Sequence, residues 1–165
     1  MSGLSFVRIL GDGLLLSLGM GVLIFGSLYY NPRLWLQDYP PAVRAKVPPI
    51  TPDEKRIQRI LLAIFLLLMI GVPYLSARQY RLETGVAEFV PLYIHAFLVA
   101  MCYNTFDAVV IDLLALAWLK PDYALLPGTT WADLAIGPRG HLVNFLKGVV
   151  LCAVLAAPIA IAAML

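Results

Sequence analysis

Cysteine is almost missing from this chain: Cys102 and Cys152 are the only two, and neither belongs to a CxxC pair. That excludes a disulfide framework and leaves redox chemistry without support. Both lie inside apolar runs, where a thiol acts as a small hydrophobe. Histidine is as scarce, with His95 and His141 alone, so a metal site would have to recruit carboxylates. A haem between these two is disfavoured, because they fall in opposite halves of the apolar region. We assign no metal, no cofactor and no catalytic residue. No Walker loop, nucleophile elbow or HExxH pattern is present, which leaves enzymatic activity open and leaning against.

Charge is thin as well. Only 13% of the 165 residues are charged, against roughly 25% in ordinary soluble domains. The net charge is +2, and the basic residues gather at the ends of apolar runs. That pattern suits orientation in a bilayer and argues against a nucleic-acid partner.

What fills the chain is hydrocarbon: 61% apolar residues and a mean hydropathy of +0.85. The runs predict an all-α, integral-membrane four-helix transmembrane bundle as a single domain over 1–165, with spans near 9–30, 57–77, 86–119 and 141–165. The first run, GLLLSLGMGVLIFGSLYY, reads as a retained span. It is too long for a signal peptide, Asp12 interrupts its start, and no small-x-small site follows. Its glycines thin the helix so that neighbours can approach, and Arg8 and Asp12, four apart, are placed to pair. Pro73 and Pro158 are expected to kink the second and fourth spans. The 86–119 stretch is too long for one straight crossing, so a bend at Pro91 or at the polar YNTFD is expected, and five membrane passages result if it breaks there.

Two loops separate the spans, at 31–56 and 120–140. In the first, Leu34, Trp35, Leu36 and Tyr39 form an amphipathic patch expected to lie on the headgroup layer. Thr51-Pro52-Asp53-Glu54 reads as a helix start, with Thr as N-cap and acids in the first turn. Arg78 to Gly85 reads as a short turn. In the second loop, Leu125, Leu126, Trp131, Leu134 and Ile136 suggest rest on the membrane surface. Six basic residues lie in 31–59 and three in 120–147, against three (Arg8, Arg78, Arg81) on the opposite side. That asymmetry places both loops in the cytoplasm and both termini outside it.

The 86–119 span carries Glu88, His95, Asn104, Asp107 and Asp112. Acids in hydrocarbon are costly unless each has a partner. Asp112 and Lys147 fall at matched depth on consecutive spans, which suggests either an intramembrane ion pair or a Lys147 that reaches lipid phosphate. Asn144 and Lys147 are expected to face inward. Asn104 and Asp107 share a face near Tyr103 and suggest a polar cavity. On a straight α-helix Asp107 and Asp112 point about 140° apart and would form one site only if the helix bends. His95 is expected to be a hydrogen-bonded packing residue. Gly137-Pro138-Arg139-Gly140-His141 opens the last helix, where free N–H groups with Arg139, His141 and Lys147 would attract a lipid phosphate.

The segments NPRLWLQDYPPAVRAKVPPITPDEKR and FDAVVIDLLALAWLKPDYALLPGT resemble a family of uncharacterised bacterial multi-pass inner-membrane proteins. The match spans about a third of the chain. It implies a bacterial inner-membrane location and a four-span architecture, and brings no activity with it.

The reading that follows is a small membrane protein that binds or transports a small solute or ion through Asn104, Asp107, Asp112 and Lys147. The alternatives are a lipid-headgroup-binding enzyme or factor using Arg139 and His141, and a structural subunit of a membrane complex. The expected partners are the lipid bilayer, phospholipid headgroups, and a second copy or another membrane protein.

Overall fold

The structure, a computed structural model, describes residues 5–165. The start of the expected 1–165 domain, residues 1–4, lies outside them. The architecture is all-α. Four helices are long and apolar enough to cross a membrane, the make-up of a multi-pass membrane protein. They are α1 (Phe6–Tyr30), α3 (Pro52–Thr84), the third helix, made of α4 (Phe89–Phe106) and a π-helical continuation (Asp107–Leu119), and α6 (Pro138–Met164). Between them lie a 3-10 turn (Pro32–Asp38), the one-turn helices α2 (Pro41–Arg44) and α5 (Trp131–Leu134), and a short 3-10 turn at Asp122–Ala124.

Local chemistry explains the boundaries. Asn31 leaves the helical conformation and its side-chain oxygen accepts from the Arg33 N–H (3.0 Å), which ends α1 before Pro32. At Thr51 the expected start is a full capping box: the Glu54 N–H donates to Thr51 Oγ1 (3.2 Å), and the Thr51 N–H donates to Glu54 (2.8 Å). The expected turn at 78–85 is instead helix. Nothing between Arg78 and Thr84 breaks the winding, and Gly85 caps it in the left-handed conformation (φ 73°). Pro91 produces no bend, because it sits in the first turn of α4, where its missing N–H has no partner to lose. α3 and α6 run on through Pro73 and Pro158.

The third helix packs against the other three, as α3 does, so its polar side chains can meet partners on every side. Its closest approaches use missing side chains. A Cβ built on Gly13 of α1 would lie 2.5 Å from Cys102 Cβ, and one on Gly148 of α6 would lie 1.7 Å from Asn104 Oδ1. Small residues bring membrane helices together because lipid provides no hydrophobic drive for their association. Leu16, Met20, Met69 and Val99 fill the core between α1, α3 and α4. Ala77, Ala96, Ala156 and Ala160 do so between α3, α4 and α6.

The loops bury apolar side chains on each other. Leu36, Tyr39, Val43 and Leu126 form their own apolar cluster, with Val43 0% and Leu126 2% exposed. Burial of each such side chain is worth about 1.5–3 kcal/mol, so the two loops close on each other as a collar at one end of the helices. The Tyr39 hydroxyl donates to the Ala124 carbonyl (2.7 Å), Lys46 to Asp133 (2.6 Å), and Arg33 to Glu54 (2.7 Å). Trp35 Nε1 donates to Ser27 of α1 (2.8 Å), and Gln58 of α3 donates to the Leu34 carbonyl (2.7 Å).

Candidate functional site

The polar residues of the third helix separate into two groups, one towards each end. Near the termini, His95 is fully buried. Its Nε2 lies 2.8 Å from Ser76 Oγ on α3 and its ring stacks on Tyr80 at 4.7 Å. This is the hydrogen-bonded packing histidine expected from the sequence. Glu88 is exposed, just ahead of α4. Arg8 lies 3.9 Å from Asp12, the expected i,i+4 pair, and also hydrogen-bonds Glu83 of α3. Ser76 and Glu83 were not legible as partners, because nothing local to α3 marks them.

Nearer the collar lies the second group. Asn104 is buried, and its Nδ2 donates to the Phe145 carbonyl of α6 (3.3 Å) through the opening left by Gly148. One turn on, the Tyr103 hydroxyl donates to Asp107 Oδ1 (3.3 Å) while its ring packs edge-on against Phe65 of α3. At Asp107 the winding changes from α to π and stays so to Leu119. A π-helix closes each hydrogen bond five residues back, so residues five apart stack one turn above each other. Asp107 and Asp112 therefore come to within about 50° of a common face, in place of about 140° on an α-helix. The expected bend is a rewinding. The helix does not break, and among the described residues four helices are long and apolar enough to cross a membrane.

Asp112 does not meet Lys147. Its Oδ2 lies 3.9 Å from His141 Nδ1, an ion-pair distance when the imidazole is protonated and too long for a hydrogen bond. Among the described residues no ion pair includes Lys147. Lys147 and Asn144 are exposed, which reverses the expectation that they face inward. Asp112 and Lys147 are not at matched depth: Asp112 lies level with His141, six residues or about 9 Å nearer the start of α6, while Asn104 is the residue level with Phe145 and Gly148. Lys147 lies about 140° round α6 from the buried Cys152. His141 turns to Asp112 while Arg139 is exposed.

No family model matches the chain, and no curated protein or solved structure matches it. Function has to be read from the side chains themselves. No group of three or more metal-ligating side chains comes together among the described residues. Tyr103, Asn104, Asp107 and Asp112 form a polar strip along the third helix, which meets α3 at Tyr103 and α6 at Asn104 and, through Asp112, at His141. Hydroxyl, amide and two carboxylates can exchange hydrogen bonds and hold positive charge.

Proposed function

We propose that this protein is a small multi-pass membrane protein that binds a small solute or cation at the Asn104–Asp107–Asp112 strip and moves it across the bilayer. The observation that carries the reading is the π-helical stretch Asp107–Leu119, whose winding brings its two acids toward one face of a stretch otherwise made of apolar residues. π-winding is rare and concentrates at functional sites, and intramembrane acids mark ion and proton pathways. The basic residues of the collar loops favour a cytoplasmic collar with both termini outside. With the resemblance of the first loop, they favour a bacterial inner membrane.

The test is flux into proteoliposomes, followed with entrapped pH- and monovalent-cation-sensitive dyes. Asp107→Asn and Asp112→Asn keep the side-chain shape and remove the charge. Each is expected to lower proton or cation flux at least about tenfold, the effect of about 1.4 kcal/mol at the site. Flux unchanged in both would overturn the reading.

A further inference from the structure

Lys147 is the one cation on an exposed face of α6 that, Asn144 apart, is hydrocarbon. Around it Val143, Leu146, Val150 and Val154 are 42–63% exposed, and Val143, Leu146, Lys147 and Val150 line a shallow groove of about 380 Å³ along the helix. A charge at that position cannot be left to lipid tails without a partner. The acids of the third helix do not supply one, since Asp107 is held by Tyr103 and Asp112 faces His141.

We propose that this groove holds an anionic phospholipid of the bilayer, its phosphate on Lys147 and one acyl chain along Val143, Leu146 and Val150. Lys147 lies nine residues into α6, about 13–14 Å from its start at Pro138. Helical Cα–Cβ bonds tilt toward the N-terminus, so the lysine stem runs back toward the collar end and carries its ammonium to the nearer headgroup layer. The phosphate then sits deeper than those of the surrounding lipids, and the chain below it fills a furrow made by the same helix face. A second copy of the chain is a poorer occupant. It would have to offer Lys147 an acid, and Asp107 and Asp112 are engaged by Tyr103 and His141.

The experiment uses the full chain in nanodiscs of phosphatidylcholine with a minor fraction of phosphatidylglycerol. The protein is then released into mild detergent and retained lipid is counted by native mass spectrometry. Phosphatidylglycerol is expected to be enriched over phosphatidylcholine, to fall severalfold in Lys147→Gln, and to be kept in Lys147→Arg. Val150→Trp, which fills the groove on an exposed face and leaves the charge, is expected to lower it as well. Arg139→Gln, at the exposed start of α6, is expected to leave it unchanged. Equal retention of both lipids, no loss in Lys147→Gln, or equal loss in Arg139→Gln would overturn the proposal. So would release of the lipid by added inorganic phosphate, which would show that the groove takes no part. Lys147→Gln is expected to leave proteoliposome flux intact, so this site and the acidic strip fail or stand separately.

Discussion

Asn104 of α4 occupies the space that a side chain at position 148 of α6 would need: a Cβ there would lie 1.7 Å from its Oδ1. The interhelical hydrogen bond from Asn104 to the Phe145 carbonyl exists because Gly148 is glycine. Gly148→Ala is expected to destabilise the protein by about 1–3 kcal/mol through overpacking, read as a lower Tm in detergent. Gly26→Ala, where nothing lies within 4 Å, is the control and should be near neutral. Adding Asn104→Ala to Gly148→Ala should recover part of the loss, because the clash is with the amide itself.

Gly13 provides the opposite case. The atom that blocks it is Cys102 Cβ at 2.5 Å, with Sγ at 2.6 Å. Trimming the thiol with Cys102→Ala leaves the Cβ in place. Gly13→Ala should therefore stay destabilised in the Cys102→Ala background and recover only with Cys102→Gly. Thermal unfolding of the four variants checks this.

These contacts also show which parts of the fold a sequence reveals. The four spans and the Thr51–Glu54 capping box were legible because length, apolar content and cap chemistry are local properties. Rewinding at Asp107 was not, because α- and π-helices share the same side-chain vocabulary and differ in which carbonyl each N–H finds. Lys147 was misplaced for a related reason: counting residues from the loop ends fixes neither the register between two helices nor the direction a side chain faces. The collar was missed because an amphipathic patch buries its apolar side equally well on lipid or on another loop, and here Leu126 provided the other loop.

At the far end, Ser76 and His95 make a buried pair across α3 and α4. Ser76→Ala leaves the imidazole Nε2 without a partner and is expected to cost about 0.6–1.7 kcal/mol, the range of interhelical hydrogen bonds in membranes. Replacing both, as Ser76→Ala with His95→Leu, should cost less than the sum of the singles. The reason is that no buried polar group is then left unpaired. A double-mutant cycle in a mild denaturant measures the coupling.

The collar should be sensitive to acid. Arg33 and the Thr51 N–H hold the Glu54 carboxyl down at about 2, and Glu54 lies in the first turn of α3, ahead of its apolar stretch. Lys46 and the Thr130 N–H likewise hold Asp133 below the usual carboxylate range. For groups lowered on folding, the stabilisation is complete above the unfolded pKa, near 4, and is lost as pH falls through the folded value. Hydrogen exchange of α2 and α5 should therefore quicken as pH drops from about 4 towards 2, after correction for intrinsic rates. Asp133→Asn should remove its share of that response.

Binding at the strip requires that Asp107 and Asp112 share one face. The most direct measurement places cysteines at both positions in a chain carrying Cys102→Ala and Cys152→Ala. Bridging by one thiophilic ion is then assayed as cadmium protection against alkylation. π-winding predicts that the Asp107→Cys, Asp112→Cys pair binds cadmium far more tightly than either single cysteine. Protection no better than the singles, as two thiols about 140° apart on an α-helix would give, would contradict it.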